Sequence, residues 1–206
     1  MHRPSNPAEL GPRLRCLADA VLADQPVADL CCDHALLAIA LVGEGKVPRA
    51  IAGDVASAPL VGAAQRIAAA GLGERIELRQ GDGFRVLARA DEVASVVIAG
   101  VGAPLAARML ADAQRERRLE GLRRLVVQVN DGFPRLAQLR IEIDAAGWGL
   151  VSERLVAENE RIYLVMVAEP APAGSRLCDA VDRELGPLLR RGEDPLFSSW
   201  RAREQA

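Results

Sequence analysis

Four aspartates, spaced along the first half of the chain, carry most of the chemistry this sequence can be expected to do. Val27-Ala28-Asp29-Leu30-Cys31-Cys32-Asp33-His34-Ala35 reads as a short buried strand ending in carboxylates, then a tight turn, then a helix of Ala, Leu and Ile. Asp54 closes the next apolar burst, Ile51-Ala52-Gly53-Asp54-Val55, and Asp82 lies in Gly81-Asp82-Gly83-Phe84. Asp29, Asp54 and Asp82 follow one another at 25 and 28 residues, one strand-helix unit each. A carboxylate accepts hydrogen bonds and attracts cations, so this set suits hydroxyls, an amine and an ammonium group. Any one of them alone is as readily a turn residue or helix cap. Three in phase on one edge are much harder to obtain by accident. Two further stretches stand where strands should end. Ala99-Gly100-Val101-Gly102-Ala103-Pro104 clears side chains from a turn, and Gln128-Val129-Asn130-Asp131-Gly132 offers two carboxamides that could read the edge of a base. Each has a plain alternative: a tight turn before a helix, and the turn-forming habit of Asn-Asp-Gly.

Positioning these residues requires alternating strands and helices, and the periodicity supplies them. A leading helix is expected from Ala8 to Leu22. Strands follow near Val27–Leu30, Ala50–Gly53, Ile76–Arg79, Val93–Ala99 and Arg124–Gln128. Helices fall at about His34–Gly43, Ala56–Ala70, Phe84–Arg89, Pro104–Leu119 and Phe133–Ala146, with glycine stops at 71, 73 and 147. This alternation implies a parallel sheet covered by helices on both faces, which binds ligands beyond the carboxyl ends of its strands. The pattern then changes. Leu150–Ala157 and Arg161–Ala168 are separated only by Glu158-Asn159-Glu160, too short for a crossover helix, so they form an antiparallel hairpin. Five parallel strands closed by such a hairpin make a seven-stranded, Rossmann-like α/β sheet of the class I methyltransferase kind. A dinucleotide dehydrogenase would normally keep its last strand parallel. The cofactor expected is therefore S-adenosyl-L-methionine (SAM) rather than NAD. Asp54 would accept its ribose hydroxyls, Asp82 its adenine amine, and Asp29 and Asp33 would face the methionine half. Residues 1–170 are expected to form this domain. Pro170-Ala171-Pro172-Ala173-Gly174 then acts as a linker to a helix from Leu177 to about Leu189, so that 171–206 is a short helical appendage.

Bulk properties narrow the classes further. With 206 residues, 50% hydrophobic and 26% charged, the chain fits one globular domain. No apolar run approaches the roughly 18 residues of a membrane span, and Met1–Pro7 lacks the apolar centre of a signal peptide, so a cytoplasmic, membrane-free protein is expected. Cysteines 16, 31, 32 and 178 show no CxxC spacing, and with two histidines no metal site is expected. A net charge of −2 makes the whole molecule no general trap for nucleic acid. The cations are almost all arginine, with Lys46 the only lysine. Two local groups could meet RNA: Arg115, Arg117, Arg118, Arg123 and Arg124, and Arg183, Arg190, Arg191, Arg201 and Arg203. Either could equally be a solvated face paired with Glu116, Glu120 and Glu184.

These residues resemble a known family, the bacterial tRNA (adenine-N1)-methyltransferases called TrmK, which act on adenine 22. Asp29–Ala35 is similar to that family's aspartate-x-Gly-Ser-Asp-His-Ala. Ala50–Leu60 resembles its second-strand segment, and Gly81-Asp82-Gly83 matches outright. Val97–Gly102 resembles Ile-Ala-Gly-Met-Gly-Gly, Gln128-Val129-Asn130 stands for Gln-Pro-Asn, and Glu184-Leu185-Gly186-Pro187 follows the hairpin as it does there. Cys31-Cys32 replaces the family's Gly-Ser, placing a side chain where the carboxypropyl arm of SAM would pass. The family's helical extension is expected to be shortened here. Taken with the motifs, the resemblance implies a SAM site of Asp29, Cys31, Asp33, His34, Asp54, Val55, Asp82, Gly83, Gly100, Val101 and Gly102, and tRNA as the substrate.

Adenine N1 carries a free in-plane lone pair at neutral pH, so its methylation needs orientation and desolvation more than a base. A paired adenine hides N1 and must be exposed first. Asp33 and Asn130 are expected to hold the base edge, and His34 to pack or cap the helix start. The alternative is a degenerate SAM-binding protein, acting on a small molecule or serving as a binding or regulatory module. An NAD-dependent oxidoreductase conflicts with the hairpin. The sequence leaves the oligomeric state open.

Overall fold

The computed structural model describes residues 10–88, 92–171, 179–192 and 194–204. The expected helix start at Ala8, most of the linker and the helix start at Leu177 fall outside them. Seven strands form one sheet: β1 Val27–Leu30, β2 Ala50–Asp54, β3 Ile76–Gln80, β4 Ser95–Val101, β5 Arg124–Val129, β6 Trp148–Glu158 and β7 Arg161–Pro170. Their order is β3-β2-β1-β4-β5-β7-β6. The first five are mutually parallel, and β7 runs antiparallel to both β5 and β6. The mixed seven-stranded sheet expected from the hairpin is therefore present. The carboxyl ends of β1 to β5 share one edge. Because β7 runs the other way, its first residues and the last of β6 return to that same edge.

Alternation along the strands builds two cores. Val96, Ile98, Leu125, Val127, Leu164 and Met166 face one side, where α4 (Ala103–Arg115) and α5 (Phe133–Ala145) cover them. Val97, Val126 and Val165 face the other, with α1 (Pro12–Ala20), α2 (Leu36–Gly43) and α3 (Ser57–Ala69). Residues 37–42 of α2 are all buried, as suits an all-apolar helix against which both the sheet and α1 pack. Arg15 of α1 grips Glu44 just past the end of α2, and the Lys46 ammonium donates to the last carbonyls of α1 at Ala18 and Asp19.

Two expectations change. The helix proposed from Phe84 is one 3-10 turn, Gly83–Val86. The tail helix is broken into α6 (Ala180–Leu185) and α7 (Pro187–Arg191), and α8 (Phe197–Glu204) follows. A buried ion pair explains the break. Arg140 of α5, fully buried, donates through Nε to Glu153 of β6 at 2.9 Å and through Nη1 to the carbonyls of Arg183 and Glu184. The other oxygen of Glu153 accepts the amides of Leu188 and Leu189. Gly186 sits between them at φ +90, where a Cβ would come within 2.6 Å of the Glu153 carboxylate. Only glycine fits, and Pro187 beyond it lacks the amide needed to continue α6. Leu189 and Trp200 join the core formed by α4 and α5, so the described tail is packed into the domain across the expected boundary at 170/171.

Candidate active site

The turn after β1 forms because three residues adopt left-handed backbone: Cys31 (φ +62), Asp33 (φ +49) and Ala35 (φ +56). Such angles cost an L-residue about 1–2 kcal/mol and persist where the surroundings hold them. Asp54 does much of the holding. The Cys32 amide donates to the Gly53 carbonyl at 3.0 Å, and the Asp33 and Ala56 amides donate to the two Asp54 carboxylate oxygens at 3.2 and 2.9 Å. The Gly81 amide donates to the Asp54 carbonyl. One residue thus joins the loops after β1, β2 and β3, and each of its carboxylate oxygens keeps a lone pair for a ligand.

Beside this junction lies a crevice of about 550 Å³, within the range of small-molecule sites. Asp29, Cys31, Asp33, His34, Asp54, Gly100, Val101 and Asn130 line it, so eight of the expected site residues meet in one place. Asp29 is 4% exposed. Burial, and then the nearby Asp54 carboxylate, raise its pKa to about 7, with Arg13 opposing. Burial also raises the Cys31 thiol to about 11, helped by Asp54, Asp29 and Asp82. Cys32 is pushed up as well, again chiefly by burial. Both thiols are therefore neutral at pH 7 and poor nucleophiles. The His34 ring lies 3.6 Å from Asp33 and close to Gly62 of α3, consistent with packing at the helix start.

The remaining four stand elsewhere. Val55 is 65% exposed beside Asp54, and its carbonyl accepts a hydrogen bond from the Gln80 side-chain Nε2. Asp82 and Gly83 line a separate shallow depression, where Arg108 holds Asp82 in two hydrogen bonds of 3.0 and 3.1 Å and lowers its pKa. Asp82 follows β3, whose carboxyl end lies on the same sheet edge as those of β1 and β2. Gly102 serves the start of α4: Asp131 accepts the Ala103 amide there, and a Cβ on Gly102 would lie 3.1 Å from that carboxylate. Of the two carboxamides, Gln128 is fully buried and spent. Its oxygen accepts from Arg13 and the Gly100 amide, and its nitrogen donates to the Val129 carbonyl and to Asn130. Asn130 is exposed and donates to the Gly100 carbonyl, and among the described residues one donor and one acceptor position stay free.

The sequence reading missed the far wall. Arg13, Glu158, Arg161 and Tyr163 line the crevice opposite the β1 turn. Arg13 lies 5.5 Å from the centroid of the Tyr163 ring, and its backbone amide donates to Glu158. The hairpin carried the signal for three of them, since an antiparallel β7 must bring its turn back to the site edge. Arg13 had none. The densest arginine run is largely neutralised, with Arg115 on Asp112, Arg117 on Glu120, Arg118 on Glu116 and Arg124 on Glu169. Arg190 and Arg191 pair with Asp182. Among the described residues no helix is long and apolar enough to cross a membrane, and no group of three or more His, Cys, Asp or Glu could hold a metal ion.

This strand order, with a crevice at the carboxyl ends of β1, β2 and β4, is that of a Rossmann-like class I methyltransferase. Residues 27–206 match the family described as TrmK, tRNA (adenine(22)-N(1))-methyltransferase. The chain belongs to that family. It is 30% identical over 198 residues to the tRNA (adenine(22)-N(1))-methyltransferase of Bacillus subtilis, covering 93% of this chain and 79% of that one. The crystal structure of the B. subtilis m1A22 tRNA methyltransferase TrmK superposes with a TM-score of 0.85 at 29% identity, over 96% of this chain and 83% of that one. A Streptococcus pneumoniae relative solved in complex with S-adenosyl-L-methionine gives 0.86 at 31% identity, over 95% and 88%.

Proposed function

We propose that the chain transfers a methyl group from SAM to N1 of adenine 22 in tRNA, as its family relatives are named for doing. The observation that carries the reading is the buried Asp29 carboxylate facing a crevice of cofactor size, with Asp54 beside it. A carboxylate so deeply buried, open only to the crevice, suits a cationic partner, and among the described residues no ion pair reaches it. The amino-acid end of SAM supplies an ammonium of that sign, and the free lone pairs of Asp54 suit a ribose diol. The residues present therefore fit the cofactor. When bound, SAM supplies an electrophilic methyl on a sulfonium.

The protein's own part is binding, orientation and exclusion of water. Asp29 and Asp33 hold the methionine half, and Asp54 with its neighbour Val55 holds the ribose. Gly100 and Val101 form a floor clear of bulky side chains, with Gly102 behind it. Asp82, once released from Arg108, is the residue for the adenine amine, with Gly83 beside it. Asn130 offers its free donor and acceptor to the edge of the substrate base, with Asp33 across the crevice. No residue need remove a proton before N1 reacts. We assign the SAM-binding unit to residues 1–170 and treat 171–206 as a short helical addition keyed to it.

A second reading is a SAM-binding protein without RNA activity, and the observation in its favour is Cys31 in the crevice where the family motif has glycine. One experiment separates the two. The protein is incubated with methyl-labelled SAM and unmodified tRNA, and the digested nucleosides are resolved. Label in N1-methyladenosine, lost when adenine 22 is replaced by guanine, supports the first reading. SAM binding without labelled RNA supports the second.

A further inference from the structure

We propose that the RNA strand flanking the target base runs down the face of the β6–β7 hairpin that α1 borders, held through its phosphates by Arg161 and Arg154. The proposal rests on the tRNA reading above. Directly opposed residues of an antiparallel pair point to the same face of the sheet. The register sets Glu158 against Arg161, Val156 against Tyr163, Arg154 against Val165 and Ser152 against Val167, so these side chains form one continuous double row. The upper end of the row, Glu158, Arg161 and Tyr163, lines the crevice. The lower end, from Arg154 and Val165 to Glu169, lines a second cavity of about 370 Å³. Helix α1 borders both: Arg13 reaches the crevice, and Cys16 and Ala20, on the same helical face, reach the lower cavity. Crevice and cavity are two stations of one trough.

Charge decides the occupant. Arg13 is committed to Glu158 and Gln128, and Arg124 to Glu169. Arg154 and Arg161 are both exposed, and among the described residues neither has a carboxylate partner. Asp19, at the lower end, offsets one of them. The position opposite Arg154 lies four residues along β7 from Arg161, roughly 14 Å at 3.4 Å per residue. The two cations therefore meet different phosphates of one strand. The arginine run around α4 is mostly satisfied by its own acidic neighbours, which leaves Arg123 as its one exposed cation without a carboxylate partner among the described residues.

The test uses the full chain, labelled unmodified tRNA, and binding measured at several salt concentrations. Arg154→Glu is expected to weaken tRNA binding at least tenfold, and Arg154→Gln less. Each should lower the dependence of log K on log salt by roughly 0.7–0.9 per cation removed. SAM affinity by calorimetry should be unchanged in both. Arg66→Glu on α3, exposed and also without a carboxylate partner among the described residues, is the charge-matched control and should leave tRNA binding and methyl transfer as they are. Unaltered tRNA binding by Arg154→Glu, or an equal loss with Arg66→Glu, overturns the path alone. A wild-type protein that binds SAM but neither binds nor labels tRNA overturns the path together with the reading beneath it.

Discussion

Arg140 and Asp29 are both ionisable and both withdrawn from water, yet the molecule surrounds them in opposite ways. Arg140 faces a carboxylate, two backbone carbonyls and a glycine that makes room for it. Asp29 faces a crevice, a second carboxylate at Asp54 and, on the far wall, an arginine already engaged elsewhere. A buried charge paired within the protein fixes structure: it locks the tail to α5 and β6, even though the Nη2 of Arg140 makes only the ion-pair contact with Glu153 and no hydrogen bond among the described residues. An incomplete one is destabilising in the empty protein and has a reason to be kept only if something cationic completes it.

The largest effect should fall on the completed site. Arg140→Ala or Glu153→Ala leaves one buried charge alone and should cost about 3–5 kcal/mol in chemical denaturation. The double replacement Arg140→Met with Glu153→Leu should recover only part of that loss, because the carbonyls of Arg183 and Glu184 and the amides of Leu188 and Leu189 lose their partners. A single-variant loss below about 1 kcal/mol would remove the contrast. The incomplete site should behave in the reverse sense. The pKa of Asp29 rises on folding from an ordinary 3.8 to about 7, so the native state binds the extra proton between those values. The contribution of Asp29 to wild-type stability must then fall as pH rises from 4 to 7. Asp29→Asn escapes this and should be more stable than wild type at pH 8, by at most about 4 kcal/mol at 1.36 per pH unit, with no gain near pH 4. Thermal denaturation across pH reads this directly.

Smaller effects sharpen the ligand side. Asp54→Ala should weaken SAM binding at least tenfold, about 1.4 kcal/mol, because the ribose acceptor and the loop junction go together. Calorimetry measures it, and unchanged affinity would remove Asp54 from the site. Cys31→Gly relieves a left-handed φ of +62, offset by the greater chain entropy of glycine, so stability should be unchanged or up to about 1 kcal/mol higher. SAM affinity should be equal or tighter, and a sharp loss would give the thiol a role that its burial does not suggest.

The sheet was legible because period-two and period-3.6 patterns alternate cleanly and Glu158-Asn159-Glu160 admits only a hairpin. The near wall of the site was legible for the same reason: strand ends in a parallel sheet share an edge, which brings Asp29, Asp33 and Asp54 together. The sequence does not encode, in any local pattern, how side chains are spent. Asp82 and Asp54 look alike in the chain, but Arg108, 26 residues beyond Asp82, closes one of them. Gln128 and Asn130 look like a pair of base readers, but burial consumes the first. Arg13 reaches the crevice only because α1 crosses to β7, a contact between elements 150 residues apart in sequence. The break at Gly186 follows from Arg140 and Glu153, both far upstream, and no window around the tail could reveal it.

Whether the cofactor completes the charge of Asp29 is tested most directly by calorimetric titration of SAM between pH 5.5 and 7.5. Affinity should rise with pH through about 7, with proton release in the lower part of the range. Asp29→Asn should bind at least tenfold more weakly at pH 7.5 and lose the pH dependence. Equal binding by wild type and Asp29→Asn, or affinity flat across that range, would contradict that completion.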